Sequence, residues 1–382
     1  MAKCPPIKGI LFVWVLMIIM LPVMLHAQFG TSTIGIEGSF YSKLKGFIAE
    51  KYPITLEMQH LKSEESDNQV IGVYYYDKIR TPITLRGQLE ENGIIQLEES
   101  DPQTSRVTGI FKGKFTGKGV FEGVWENPGN KKTMPVKLHE ALDDCVQAEF
   151  HYHAKKNCDR RMIRGGFDEE EEESSEIDTS APCSFMAVSM PRIITAKPVI
   201  ADQINHFLFR QLIGDQDETT APKTAEEYVN RIDQLQEEDF IEEMTYFEIT
   251  LNDKNLLSIR MVGNSFSGGA HGMSWDKYFN FDLSSGRLLT LDDIFRTGSE
   301  GELLRVAKTH FIEENGDLSE WSFGDNGFYL NKEFSLLMEG IVFTWNAYEI
   351  GAYAQGAPTV LIPYSEIRQL LKTDSPIHSI IK

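Results

Sequence analysis

Residues 83–100 read ITLRGQLEENGIIQLEES, two apolar-alternating runs on either side of Asn92-Gly93. An Asn-Gly pair supplies the two positive-φ positions of a tight hairpin turn, so the segment predicts two antiparallel strands. In the first run Ile83, Leu85 and Leu89 fall on one face, while Arg86 and Gln88 point away. The same texture extends in both directions. VIGVYYYD (70–77), VTGIFKGKF (107–115), VFEGVWEN (120–127) and MPVKLHE (134–140) are short runs of β-branched and aromatic residues, and Asn127-Pro128-Gly129-Asn130 is a second explicit turn. The glycines at Gly109, Gly113, Gly117, Gly119 and Gly123 permit bends or bulges where strands curl. The reading is an antiparallel meander closing into a small barrel or sandwich, to which residues 34–61 add a helix and a strand.

Beyond this meander lies an acidic low-complexity segment, DEEEEE (168–173) followed by SSEIDTSAP, expected to be a solvated loop because like charges repel and nothing in it fills a core. Its flanks, AEFHYHA (148–154) and SFMAVSM (184–190), read as strands. Antiparallel pairing of the two would bring Cys158 and Cys183 to the same end. A disulfide there closes roughly 26 residues and contributes about 3–4 kcal/mol in the chain-entropy picture. Cys145–Cys158 is the competing pairing, and spacing does not decide between them.

After Cys183, helix and strand signals alternate. Ile200, Ile204, Phe207, Leu208 and Leu212 form one helical face. Thr224-Ala-Glu-Glu227 is a capping box for a second helix carrying Tyr228, Ile232 and Leu235. Strands follow at MTYFEITL, LLSIRMVGNSF, MSWDKYFNFDL and RLLT. Ser299-Glu-Gly-Glu302 then caps a third helix with Leu303, Leu304, Ala307 and Phe311 inward. GFYL, IVFTWNAY and PTVLIP read as strands, and SEIRQLL as a short closing helix. Strand runs with segregated helices indicate an α+β fold: an N-terminal antiparallel β-rich barrel or sandwich, then an α+β domain with an antiparallel sheet. The expected organisation is 1–27 signal peptide, 28–140 β-rich domain, 141–182 connecting strand and acidic loop, and 183–382 α+β domain.

The 382 residues suffice for two domains, and 41% hydrophobic with 25% charged content is ordinary for globular chains. Residues 1–27 combine a basic start (MAKCPPIK), an apolar run and LHA before Gln28, the pattern of a signal peptide. The alternative for this segment is an uncleaved membrane anchor. An exported periplasmic or extracellular protein, with no stable membrane span once the signal is cleaved, is the expectation. The formal charge is −20, becoming −22 without Lys3 and Lys8. Such a surface repels nucleic acid and attracts cationic partners.

No catalytic motif stands out. Gly263-Asn-Ser265-Phe-Ser267 lacks the closing glycine of a nucleophile elbow, and there is no zinc helix, phosphate loop, dinucleotide fingerprint or calcium loop. His151-Tyr-His153 near Cys145 and Cys158 resembles half a zinc site, but its spacing matches no recurrent zinc module, so neither metal nor cofactor is expected. The sequence Ser267-Gly268-Gly269-Ala270-His271-Gly272 admits two readings. In one, His271 is the general base of an envelope hydrolase and the Gly268 and Gly269 amides form an oxyanion site. In the other, the glycines let the chain turn and another backbone approach closely, with His271 making an ordinary hydrogen bond.

SGGAHG, the following NFDLSSGRLLTLDDIF and the later FTWNAYEIGAYAQGAPTVLIPYSEI, in that order, resemble the extracellular domain of the anti-sigma factor RsiV, a module also found beside peptidoglycan deacetylases. The likeness covers residues 183–382. It implies an α+β fold outside the cytoplasmic membrane and a recognition role, since the RsiV domain binds lysozyme. Neither an anti-sigma role nor a deacetylase activity is implied. The expectation is a non-catalytic cell-envelope binding module for a cationic protein such as lysozyme or for peptidoglycan fragments. Ser267, Gly268, Gly269, Ala270, His271, Tyr348, Glu349 and Tyr353 are its candidate contacts, and for Tyr348 and Glu349 an internal strand-bridging role stands beside ligand contact. The alternatives are the hydrolase centred on His271 and a structural periplasmic protein acting through its β-domain.

Overall fold

The structure, a computed structural model, describes residues 39–61, 68–79, 83–100, 104, 106–117, 119–161, 182–214, 221–236, 240–325 and 327–381. The signal segment and the acidic run at 168–173 lie outside the described residues.

The meander closes. Strands β1 (Phe40–Ile48), β2 (Tyr52–Leu61), β3 (Gln69–Tyr76), β4 (Ile83–Leu89), β5 (Ile95–Ser100), β6 (Val107–Phe115), β7 (Val120–Asn127) and β8 (Lys132–Glu140) pair in succession. β8 then returns to β1, from Leu44↔Glu140 to Ile48↔Val136, making an eight-stranded antiparallel barrel. Inward residues fill it: Leu44, Ile54, Leu56, Leu85, Leu97, Phe111, Phe121 and Leu138 are all buried. Gly113 and Gly123 face one another across β6 and β7, and a Cβ on Gly123 would run into the Lys112 carbonyl. There, close strand packing requires the glycine rather than a bend.

Residues 40–61 hold two strands and no helix, correcting the expectation for that segment. Leu44 and Ile48 point into the barrel, and pairing on both sides overrides any local helical preference of FYSKLKGFI.

β1 also leaves the barrel. Phe40 and Tyr41 pair with Glu149 and Ala148 of β9 (Gln147–Arg161), so barrel and second sheet are one hydrogen-bonded surface. β9 pairs antiparallel with β10 (Cys183–Ile194), and Cys158 and Cys183 are joined by a disulfide. Cys145 is free and buried, and burial pushes its thiol up to about 12. β10 and β11 (Glu242–Asp253) run parallel, a departure from an all-antiparallel sheet. The crossover that a parallel pair requires is supplied by α1 (Pro198–Ile213) and α2 (Ala225–Asn230). β12 (Leu256–Phe266), β13 (Met273–Asp282) and the two-residue β14 (Arg287–Leu288) complete the sheet antiparallel.

α1 covers one face of this sheet, with Ile200, Ile204, Leu208 and Leu212 buried against Ile259, Met261 and Phe281. Against the other face sits a small unit: α3 (Leu291–Ile294), α4 (Glu300–Asn315), strands β15 (Phe334–Leu336), β16 (Gly340–Thr344) and β17 (Thr359–Pro363), and α5 (Tyr364–Ile367). Its core is aromatic, with Phe311 edge-on to Trp345 and Phe323. GFYL forms no strand, because Phe328 is drawn sideways into this aromatic cluster, and the IVFTWNAY strand stops at Thr344. Ser299 occupies the N-cap of α4 without capping by its side chain; its hydroxyl donates to the Arg296 carbonyl. Thr224 does cap α2, accepting from Glu227 N at 3.1 Å.

A polar seam joins the barrel to the sheet. Lys43 on β1 is 1% exposed, and its ammonium pairs with Glu57 at 3.0 Å and Asp253 at 3.1 Å while donating to the Asn252 carbonyl. Burial alone would lower the lysine; the carboxylates reverse this and hold it above its ordinary value. The Asn252 side chain bonds both N–H and C=O of Val146 at 2.9 and 2.8 Å, and the Gln147 side chain bonds both backbone groups of Lys43.

Candidate functional site

The SGGAHG stretch is the connection from β12 to β13. Gly268 and Gly269 both have φ of +92°, a conformation that side chains disfavour. A Cβ at either would meet nothing within 4 Å, so no second backbone approaches them, which corrects that part of the expectation. Ser267 and Ala270 are exposed. The chain's left-handed course delivers His271 to an exposed position at the head of β13.

There His271 meets two tyrosines from a loop 77 or more residues away. Its ring stacks on Tyr353 with centroids 3.8 Å apart and planes 12° from parallel. Tyr348 lies 6.4 Å from the imidazole and 5.7 Å from Tyr353. His271 Nδ1 lies 2.9 Å from the Gly272 carbonyl, to which it can only donate. Nε2 lies 3.3 Å from the Tyr348 hydroxyl, a partner that can either donate or accept. Among the described residues no nucleophile or orienting carboxylate bonds to this imidazole. The arrangement is a stacked aromatic surface.

The way Tyr348 is held is unusual. Asn346–Glu349 is a tight turn closed by Glu349 N donating to Asn346 O at 3.0 Å. Tyr348, at the third position, has φ of +71°, where type II turns normally place glycine. A bulky aromatic in left-handed backbone costs about 1–2 kcal/mol. The turn is held by Glu349, whose carboxylate accepts from Asn346 N at 2.9 Å and from the Asn331 amide at 2.6 Å. The loop thus spends Glu349 on itself and leaves Tyr348 55% exposed.

The same loop closes the free edge of β13. The Asn346 side chain bonds both the N–H (2.7 Å) and the C=O (3.1 Å) of Asp276, as a neighbouring strand would, and Glu333 accepts from Tyr278 N at 2.9 Å. Asp276 is in turn paired with both oxygens to Arg260, at 3.0 and 2.8 Å, and Arg260 reaches Glu248 at 3.0 Å. Burial raises the Asp276 carboxyl against the opposing pull of Arg260. Sequence reading missed Arg260, Asp276, Glu333 and Asn346. No local signal marked them: Arg260 and Asp276 lie on the face opposite Ile259, Met261 and Phe279, which also carries Ser258, Asn264, Ser274 and Asn280.

His151 and His153 lie on β9, but Cys158 is consumed by the disulfide. Among the described residues no group of three or more His, Cys, Asp or Glu side chains is arranged to hold a metal ion. Among the same residues no helix is long and apolar enough to cross a membrane.

Comparison with known proteins divides the second unit into two matched segments. Residues 177–274 match the family described as deacetylase PdaC, and residues 292–365 match the family described as protein of unknown function (DUF3298). The peptidoglycan-N-acetylmuramic acid deacetylase PdaC of Bacillus subtilis (strain 168) is 26% identical over 132 residues, covering 33% of this chain and 28% of that protein's length. Two solved structures of DUF3298 family members are also similar. That from Bacteroides fragilis NCTC 9343 is 18% identical, covering 63% of this chain and 99% of its own, with a TM-score of 0.47. That from Pseudomonas aeruginosa PAO1 is 19% identical, covering 61% and 97%, with a TM-score of 0.44. The second unit is thus PdaC-like and DUF3298-like in turn, and the barrel lies outside both matches. The aromatic stack draws His271 from one matched segment and Tyr348 and Tyr353 from the other.

Proposed function

We propose that this is an exported, non-catalytic recognition module of the cell envelope, and that the His271–Tyr348–Tyr353 surface receives its ligand. The observation that carries the reading is Tyr348, kept exposed in a glycine conformation by a carboxylate spent on its own turn. Strain of this kind persists where the surroundings over-determine it, and it gathers at binding surfaces. The likeness to part of a peptidoglycan deacetylase supports a cell-wall setting. The ligand is then a wall glycan or a basic protein that acts on the wall, such as lysozyme. The formal charge of −20 would speed encounter with a cationic partner without deciding which of the two the site holds.

Titration calorimetry of the mature chain against a basic lysozyme and against soluble wall fragments, each at two salt concentrations, tests this. Saturable binding that persists at higher salt and is lost on Tyr353→Ala is the expected outcome. Heat that vanishes with salt would reduce the attraction to screened charge alone. Turnover of a wall fragment would overturn the non-catalytic assignment.

A further inference from the structure

The sheet face beside the stack has a chemistry of its own. Strand register places Tyr246, Val262 and Asp276 in one row, and Met244, Asn264 and Ser274 in the next. Side chains two apart share a face, so these rows lie on the side opposite the α1 core, and Gly272 and His271 follow immediately beyond them. The Ser274 hydroxyl donates to Asn264 Oδ1 at 2.7 Å. Of the described carboxylates on or beside this face, only Asp276 and Glu248, paired with Arg260, are neutralised; Glu349 and Glu333 accept from neutral N–H groups, and Glu242 shares the face two residues before Met244. The middle of the floor offers neutral groups: hydroxyls of Ser274, Tyr246 and Tyr348, the Asn264 amide, and the flat aromatic rings at its end.

We infer that this floor and the aromatic stack together form a saccharide site for an N-acetylated pyranose chain. A pyranose has an apolar C–H face that lies on an aromatic ring and a rim of hydroxyls that exchange hydrogen bonds with neutral side chains. Its acetamido group offers one donor and one acceptor, which the Asn264 amide and the Ser274 hydroxyl complement. The inference rests on the envelope-recognition reading and narrows its ligand to sugar.

The test titrates the full mature chain with a β-1,4-linked N-acetylglucosamine tetramer, with the same tetramer lacking its acetyl groups, and with a basic lysozyme. Each is repeated for Asn264→Ala and Ser274→Ala, both at accessible positions, and for Tyr348→Gly, with melting temperatures checking the fold. The expected result is binding of the acetylated tetramer, weakened about tenfold by either floor variant and abolished by Tyr348→Gly. Equal or tighter binding of the deacetylated, cationic tetramer would overturn the inference. So would lysozyme binding that needs Tyr348 while no sugar binds, an outcome that leaves the envelope-recognition reading standing. Absence of binding to every probe would remove both.

Discussion

Lys43→Met tests whether the barrel and the second sheet stand as one cooperative body. The substitution keeps much of the side chain's volume and removes the ammonium, leaving Asp253 3% exposed and without its partner. The Asn252 carbonyl loses its ammonium donor as well and keeps the weak Cys145 thiol. Breaking a buried ion pair from one side costs about 3–5 kcal/mol, because the remaining charge stays desolvated. Glu57 is 27% exposed and regains water, which places the expectation at the lower end, about 3 kcal/mol. At about 2–4 °C per kcal/mol for a body of this size, the melting temperature should fall by roughly 6–12 °C. Differential scanning calorimetry reads it, and adding Asp253→Asn should recover much of the loss by removing the stranded charge. A drop below about 1 kcal/mol, or no coupling between the two substitutions, would refute the seam as a stabilising junction.

Tyr348→Gly should leave thermal stability within about 1 kcal/mol of the parent, because relief of left-handed strain offsets lost stacking and added chain entropy, while ligand binding disappears. A large destabilisation would instead make the ring structural. Asp282 clasps the turn after β13, accepting from Ser284 N at 2.8 Å and from the Ser285 hydroxyl at 2.7 Å. Burial opposes ionisation there, but these bonds win and hold its carboxyl below the usual range. A depressed folded value means stability present above the unfolded pKa and lost as pH falls through the folded one. Asp282→Ala should therefore lower the melting temperature near pH 7, with the difference shrinking as pH falls below the unfolded carboxyl value of about 4 and lost through the lower folded one. Replacing Cys158 and Cys183 by serine should cost about 3 kcal/mol in denaturant unfolding, the value for closing a loop of this length. An unchanged midpoint would show that β9–β10 pairing alone holds these ends.

The meander was legible because turn chemistry and alternation are local: Asn92-Gly93 and the Leu85 face mark a hairpin wherever they occur. Closure of the barrel was not, since β8 finds β1 across some ninety residues and nothing in FYSKLKGFI announces two neighbours. The parallel β10–β11 pair was hidden in the same way, its helices readable but not the direction in which they return the chain. At the site, glycines and an exposed histidine drew notice to 267–272. The stack itself depends on a loop brought from residues 346–356, and Asn346 serves as a surrogate strand neighbour only through contact with Asp276. Glu349 reads as a ligand group in sequence, and in the fold its exposed carboxylate accepts from Asn346 N and the Asn331 amide, a tie that only the folded loop creates.

β1 belongs to two sheets at once, and this constrains how the molecule can be taken apart. Cutting away the barrel would strip β9 of its neighbour at Ala148 and Glu149 and open a fresh edge for mispairing with other chains. It would also orphan Asp253. The same continuity has a mechanical side. If the barrel is tethered within the envelope and the β13 end is gripped by a ligand, the pull travels strand to strand through one unbroken ladder of hydrogen bonds. No hinge linker stands in that path to absorb it, so the protein should resist such tension as a single plank.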